Sequence, residues 1–431
     1  MQNELTESVQ ASIRPGEMKD MMYPGETNVE KQAYPAIVNT RFLQTFTNLG
    51  QGSSQFVISP NGGVSDIILQ MTTPTGTYTN TALPSGWGYG MINRLSVRYG
   101  SSAQYFWTGV QCFLENVMDA ENNTKADQLL QLGGTAAVGA AIPGQNAFVY
   151  LKLPHNSCRA SGKPLPFPSD LLVQPIVITV ELFGLNQILI NQAGAGAPAG
   201  VPVTLASASL QVKQEMLTDS SDQLARRVDM NSHALTFPLP YFCQQETTVA
   251  VTTNATNDVN TINLTGFRAG EVKQIVLWLA PISSLGLSGV TGLTGLQTPG
   301  SGNYQPLFWQ ALTDVQLLYN GEVFNRFDSG SAAMWNIVED QKSSVVANYT
   351  LQNAGAVGST QQNLPYVKCD FSQVSVPWDR ESLLVHGKPV LNAIVNLQFR
   401  APTANTSYVL HAMYIYNASL LCSRGSAEYI F

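Results

Sequence analysis

At 431 residues the chain is longer than one hydrophobic core usually supports, so two domains are expected. Hydrophobic residues make up an ordinary 44%, but charged residues only 12%, about half the typical share of roughly 25%; Asn, Gln, Ser, Thr and Gly replace them, and such a surface is cheap to bury against further copies. The net charge of −7 and the lack of any Lys/Arg run exclude a basic arm that packages a genome by direct nucleic-acid binding.

Residues 1–40 are polar, carry charges of both signs and contain Pro15, Pro24 and Pro35, so they read as an extended arm. They show no basic, apolar leader, which points to synthesis and assembly inside a cell without secretion. From residue 41 onward, short runs rich in Val, Ile, Thr, Phe and Tyr alternate with Gly, Pro, Asn and Ser clusters, the pattern of β-sandwiches. Representative strands are Gln55–Ile58, Ile67–Met71, Leu95–Tyr99, Val177–Phe183 and Val409–Tyr416. Helical spacing predicts a helix over Thr108–Ala120, with Val110, Phe113, Leu114 and Val117 on one face, and others over Ala332–Asp340 and Ala126–Leu132. Asn191–Pro202 and Ser283–Tyr304 read as long loops. The stretch Leu171–Ile190 is the most apolar, but Gln174, Pro175, Glu181 and Asn186 interrupt it and argue against a membrane span.

An internal repeat organises these elements. Gly63–Pro74 matches Gly270–Pro281, each a turn, a strand and a stop, 207 residues apart (270 minus 63). Asn93–Tyr99 matches Thr313–Tyr319, and each leads through a turn into an aromatic strand, Gln104–Trp107 or Val323–Phe327. Val177–Phe183 matches Ala393–Phe399, with Gly162-Lys163-Pro164 and Gly387-Lys388-Pro389 upstream. Thr204–Leu217 and Tyr408–Leu421 close the two halves. The expected fold is all-β: two tandem eight-stranded jelly-roll sandwiches with a few short helices in loops. The expected organisation is an arm over 1–40, a first roll over 41–230 and a second over 231–431. The boundary falls in the charged, least strand-like stretch near Thr218–His233.

No catalytic, cofactor or metal site is expected. Cys112, Cys158, Cys243, Cys369 and Cys422 are odd in number and far apart, so they read as free buried thiols. His155, His233, His386 and His411 stand alone, without ligand spacing. Asp379 and Glu381 could share a strand face, as a β-sandwich hydrolase would need, but read more simply as a charged turn. An alternative is a receptor- or carbohydrate-binding module with an aromatic platform drawn from Trp87, Trp107 or Trp309; core packing is the simpler reading of those side chains.

The paired Gly…Pro strand units, the strand–turn segments at Tyr99-Gly100 and Tyr319-Asn320-Gly321 and the strand ending at Phe431 make the chain resemble the double jelly-roll major capsid proteins of icosahedral DNA viruses. Segments such as Phe267–Val272 look most like those of polinton-like viruses, virophages and small relatives of algal viruses. The resemblance implies a virion protein: a homotrimer forming a pseudo-hexagonal capsomer that meets neighbouring capsomers and minor capsid, cement and penton proteins. It is compatible with an internal membrane beneath the shell. It also implies that the arm runs along the inner side, with Met18, Met21, Met22 and Tyr23 as its adhesive part.

Overall fold

The computed structural model describes residues 37–76, 81–83, 86–118, 128–129, 131–134, 137–138, 144–153, 159–160, 163–164, 166–188, 190–191, 202–217, 220–239, 241–250, 259–265, 267, 270–281, 312–319, 322–328, 366–371, 388–389, 393–399 and 407–430. The first sandwich contains β1 (Ile37–Thr45), β2 (Gly52–Ile58), β3 (Gly63–Thr72), β4 (Ile92–Tyr99), β5 (Tyr105–Trp107), β6 (Asn146–Tyr150), β7 (Phe167–Pro168), β8 (Ile176–Leu182) and β9 (Ser207–Leu217). One sheet runs β1-β9-β3-β7, with β6 also on β3, and the other runs β2-β8-β4-β5.

After β10 (Ala234–Pro238), the second sandwich contains β11 (Tyr241–Ala250), β12 (Val259–Leu264), β13 (Glu271–Pro281), β14 (Leu312–Tyr319), β15 (Glu322–Asp328), β16 (Tyr366–Asp370), β17 (Lys388–Pro389), β18 (Ala393–Phe399) and β19 (Ser407–Tyr416). Its sheets run β11-β19-β13-β16, with β17 also on β13, and β12-β18-β14-β15. Strand for strand, the order repeats that of the first sandwich.

Period-two alternation produces these sheets. In β3 the side chains of Ile67, Leu69 and Met71 are buried while Asp66, Ile68 and Gln70 are half-exposed. The opposing sheet supplies Leu95 and Val97 from β4 and Ile178 and Val180 from β8. Tyr99 and Phe167 meet across the two layers with ring centroids 5.0 Å apart. The duplication reaches into the irregularities. Against β8, the ladder of β4 passes from Arg94 to Ile92 and skips Asn93. Against β18, the ladder of β14 passes from Asp314 to Leu312 and skips Thr313. Asn93 and Thr313 are the first residues of segments matched in sequence, so the two halves share a β-bulge as well as a strand order.

One sequence match does not hold in space. In the second roll Lys388–Pro389 pairs with Val272 and Glu271. In the first roll the corresponding pairs, to Val64 and Gly63, are made by Phe167–Pro168, whereas Lys163–Pro164 folds back on Arg159–Ala160 in a local hairpin. A two-residue strand has too few side chains for its register to be read from pattern. The first strand also begins at Ile37, inside the stretch expected to be an arm with no strand of its own.

Among the described residues, helices α1 (Trp87–Met91), α2 (Gly109–Met118), α3 (Leu185–Ile188) and α4 (Ser220–Ser232) connect the strands. Helix α2 lies where spacing predicts one. Residues 128–129 and 131–132 of the weaker candidate are helical, and Ala332–Asp340 lies outside the described residues. The charged stretch where the boundary was expected forms α4, thirteen residues long, between β9 and β10. Two further strands, β20 (Ser419–Ser423) and β21 (Ser426–Ile430), join β10 in a separate junction sheet of order β10-β20-β21. No helix among the described residues is long and apolar enough to cross a membrane.

Candidate functional site

Among the described residues, several polar groups converge where the two sandwiches meet. Pro168 leads into a short 3-10 turn, Ser169–Leu171, whose first turn is tied to Gly62. The Ser169 backbone N–H and hydroxyl both donate to the Gly62 carbonyl, at 2.9 and 2.7 Å, and the Gly62 N–H donates to Asp170 Oδ1 at 2.6 Å. Gly62 has φ +78°, and a Cβ there would lie 1.9 Å from the Glu215 carbonyl oxygen, so only glycine fits this close approach. Asp170 is buried, and its other oxygen lies 2.8 Å from Arg226 Nε on α4. Burial pushes the Asp170 carboxyl above its ordinary value, opposed by Arg226 and the Gly62 N–H.

Helix α4 is pinned at further points. Arg227 donates to the Val173 carbonyl at 3.1 Å, and Gln223 donates to the Leu217 carbonyl. The β20–β21 hairpin clasps the first roll from the opposite direction in sequence. Val173 N–H donates to the Gly425 carbonyl at 2.9 Å, Ala427 N–H donates to Ser101 Oγ at 2.9 Å, and Ser101 Oγ donates back to the Ala427 carbonyl at 3.1 Å. Aromatic contacts fill the seam: Phe167 with Phe237 at 5.6 Å and Trp107 with Phe242 at 6.2 Å.

Behind that seam, α2 carries a second buried acid. Glu115 accepts the Trp107 Nε1–H at 3.2 Å, and burial raises its carboxyl to about 7, with Lys152 and Trp107 pulling the other way. Its neighbour Asn116 donates to Tyr89 Oη at 3.1 Å and to the Tyr150 carbonyl at 2.9 Å. In the second roll, His411 stacks on Trp278 at 5.0 Å and lies 3.5 Å from Glu246, whose carboxyl it holds below the usual range.

Asp170, Glu115 and His411 are buried, whereas Glu246 is exposed. No cluster of three or more metal-ligating side chains occurs among the described residues. Among the histidines, His233 is exposed and His411 buried; His155 and His386 lie outside the described residues, as do Asp379 and Glu381. Trp87 and Trp107 are buried, which removes them from any exposed aromatic platform; Trp309 is outside the described residues. Cys112, Cys369 and Cys422 are buried and Cys243 is half-buried; burial pushes Cys422 up to about 12. Cys158, the two long loops and the arm residues Met18, Met21, Met22 and Tyr23 also fall outside. Asp170, Arg226 and Glu115 were not singled out by sequence; the sole signal was the concentration of charge around Arg226–Arg227.

The surface bears apolar side chains at the junction. Leu224 and Val228 project from α4 with 63% and 65% of their surface exposed.

No family model and no curated protein matches the sequence. Solved structures do match. The chain is similar to VP54 of PBCV-1, in a crystal structure fitted into a cryo-EM reconstruction of the virophage Sputnik, with 15% identity and a TM-score of 0.63 over 92% of this chain and 97% of that one. It is similar to the Faustovirus major capsid protein, with 10% identity and a TM-score of 0.53 over 98% of each chain. It is also similar to the mavirus major capsid protein, with 10% identity and a TM-score of 0.51 over 95% of this chain and 94% of that one. The shared architecture is the double jelly roll.

Proposed function

We propose that the chain is a major capsid protein, a structural subunit of an icosahedral viral shell located in the virion. The observation that supports this most is the end-to-end likeness to a capsid protein, over 92% of this chain and 97% of the other. Two sandwiches with one strand order, locked by a shared seam, form a rigid block with two similar sides. Three such blocks present six similar sides, which is the geometry of a pseudo-hexagonal capsomer. The buried acids serve packing in this reading, and no catalytic role is assigned. Partners are two further copies in a homotrimer, neighbouring capsomers and minor shell proteins. The low charge content suits surfaces that are desolvated on assembly. The arm, with Met18, Met21, Met22 and Tyr23, supplies adaptable apolar contacts on the inner side.

Light scattering of the purified protein, followed by electron microscopy, tests the proposal. The expected result is a mass three times that of the chain and particles of hexagonal outline. A well-behaved monomer at high concentration would overturn it.

A further inference from the structure

The seam inside the chain is a head-to-tail contact. It brings β5, an outer strand of the first roll, against β11, an outer strand of the second. Trp107 meets Phe242 there, with ring centroids 6.2 Å apart. Because the two rolls share one strand order, each of these strands has a counterpart in the other half. β15 stands in the second roll where β5 stands in the first, and β1 stands in the first where β11 stands in the second. Both counterparts are outer strands of their sheets among the described residues.

The ladders fix the counterparts residue by residue. Trp107 pairs with Leu95 and Phe327 with Val315, and Leu95 and Val315 belong to matched segments 220 residues apart (315 minus 95). Phe327 therefore holds the register position of Trp107. At the other strand, Val64 pairs with Gln214 and Val272 with Tyr416. One residue earlier on those closing strands, Lys213 stands opposite Arg41 and Ile415 opposite Phe242. Arg41 therefore holds the register position of Phe242.

The counterparts carry the features of an uncovered contact. β1 is nine residues long and exposes an apolar side chain on each face, Phe42 and Leu43, the latter with 62% of its surface free. Val323 on β15 is 54% exposed. A long outer strand with exposed apolar side chains is a template for another chain. Charge completes the match. Arg41 stands opposite Lys213, and Asp314 stands opposite Asp328. Like charges directly opposite destabilise a ladder; Asp66, 3.5 Å from Lys213, offsets part of the cationic repulsion. Bringing the cationic pair to the acidic one relieves both. We infer that β1 of one copy packs on β15 of a second copy, repeating between chains the contact that β11 and β5 make within one. Arg41 then meets the acidic end of β15, and Phe42 and Leu43 lose their exposure. A head-to-tail contact closes into a ring when its rotation divides a full turn; the ring of six rolls rests on the capsomer reading above.

The test uses the full chain with p-benzoyl-phenylalanine incorporated at position 43. Its mass in solution is taken by light scattering, and the sample is then irradiated, separated under denaturing conditions and mapped by mass spectrometry. The expected product runs at the mass of two or three chains and carries its attachment within residues 322–328. A trimer whose cross-link falls elsewhere, stays within one chain or does not form would overturn the inference and leave the capsomer reading standing. A monomer would overturn both. Charge gives an independent reading. Arg41→Glu should raise the dissociation constant of the trimer about tenfold, and Arg41→Glu/Asp328→Lys should recover it. An unchanged constant in the single variant, or no recovery in the double, would equally overturn the inference.

Discussion

Asp170 and Arg226 meet at 2.8 Å across the junction, one from the 3-10 turn that ends β7 and the other from α4. The carboxylate is buried and also accepts the Gly62 N–H; Arg226 is its main counter-charge, with a smaller pull from Arg227.

Removing that counter-charge is costly. Arg226→Ala leaves an ion in an apolar site, and the expected loss is about 3 kcal/mol at neutral pH, measured by urea denaturation. The penalty should shrink as pH falls and Asp170 takes up a proton, since a neutral carboxyl needs no cation. A loss that is small and independent of pH would show that the pair is not desolvated.

Glu115 makes stability depend on pH near neutrality. Its folded value is raised from 4.5 to about 7, so the folded state binds a proton more tightly than the unfolded chain. Stability from this group is therefore fully present below about 4.5 and lost as pH rises through about 7. Glu115→Gln keeps an oxygen for Trp107 and removes the charge. It should raise the melting stability at pH 8 by on the order of 2 kcal/mol, and change it little at pH 4. Equal effects at both pH values would contradict the burial argument.

Phe167 and Phe237 connect the first roll to the junction sheet, with centroids 5.6 Å apart. Phe237→Ala should cost about 3 kcal/mol in denaturant midpoint analysis. A double-mutant cycle with Phe167→Ala should return a coupling of about 1 kcal/mol. Additive single effects would mean that the rings pack independently.

Gly425 has φ +75°, and a Cβ there would lie 2.1 Å from Val173 Cγ2. Gly425→Ala should therefore combine backbone strain of about 1 kcal/mol with a clash that pushes the β20–β21 hairpin off the first roll. Limited proteolysis should then cut within 419–430 faster than in the parent protein. An unaltered cleavage pattern would place the hairpin's anchoring elsewhere.

Much of the fold was legible because sheets write their period into the sequence. Ile67, Leu69 and Met71 alternate with less buried neighbours, and segments matched in sequence, Asn93–Tyr99 with Thr313–Tyr319, occupy equivalent strands down to the skipped residue. Chemistry decided by distant partners was not legible. Nothing near Asp170 announces that Arg226, 56 residues on (226 minus 170), will reach it. The charged stretch around Arg226–Arg227 looked like a break between domains, and it is helical because its polar side chains find partners on the first roll. Glu115 sits in a helix whose spacing predicts it, yet its burial comes from Trp107, α1 and β4 packed against that helix rather than from the helix's own pattern. The Gly-Lys-Pro pair misled because two residues at a sheet edge carry no periodicity.

The junction sheet imposes an order of events on synthesis. Residues 37–217 hold every strand of the first sandwich, so that unit has all its pairing partners once Leu217 has left the ribosome. The second sandwich cannot close before β19, and the clasp onto Ser101 and Val173 comes from residues made later still. Docking of the halves is thus the last folding step. A nascent chain stalled anywhere before residue 419 would lack this clasp on the first half.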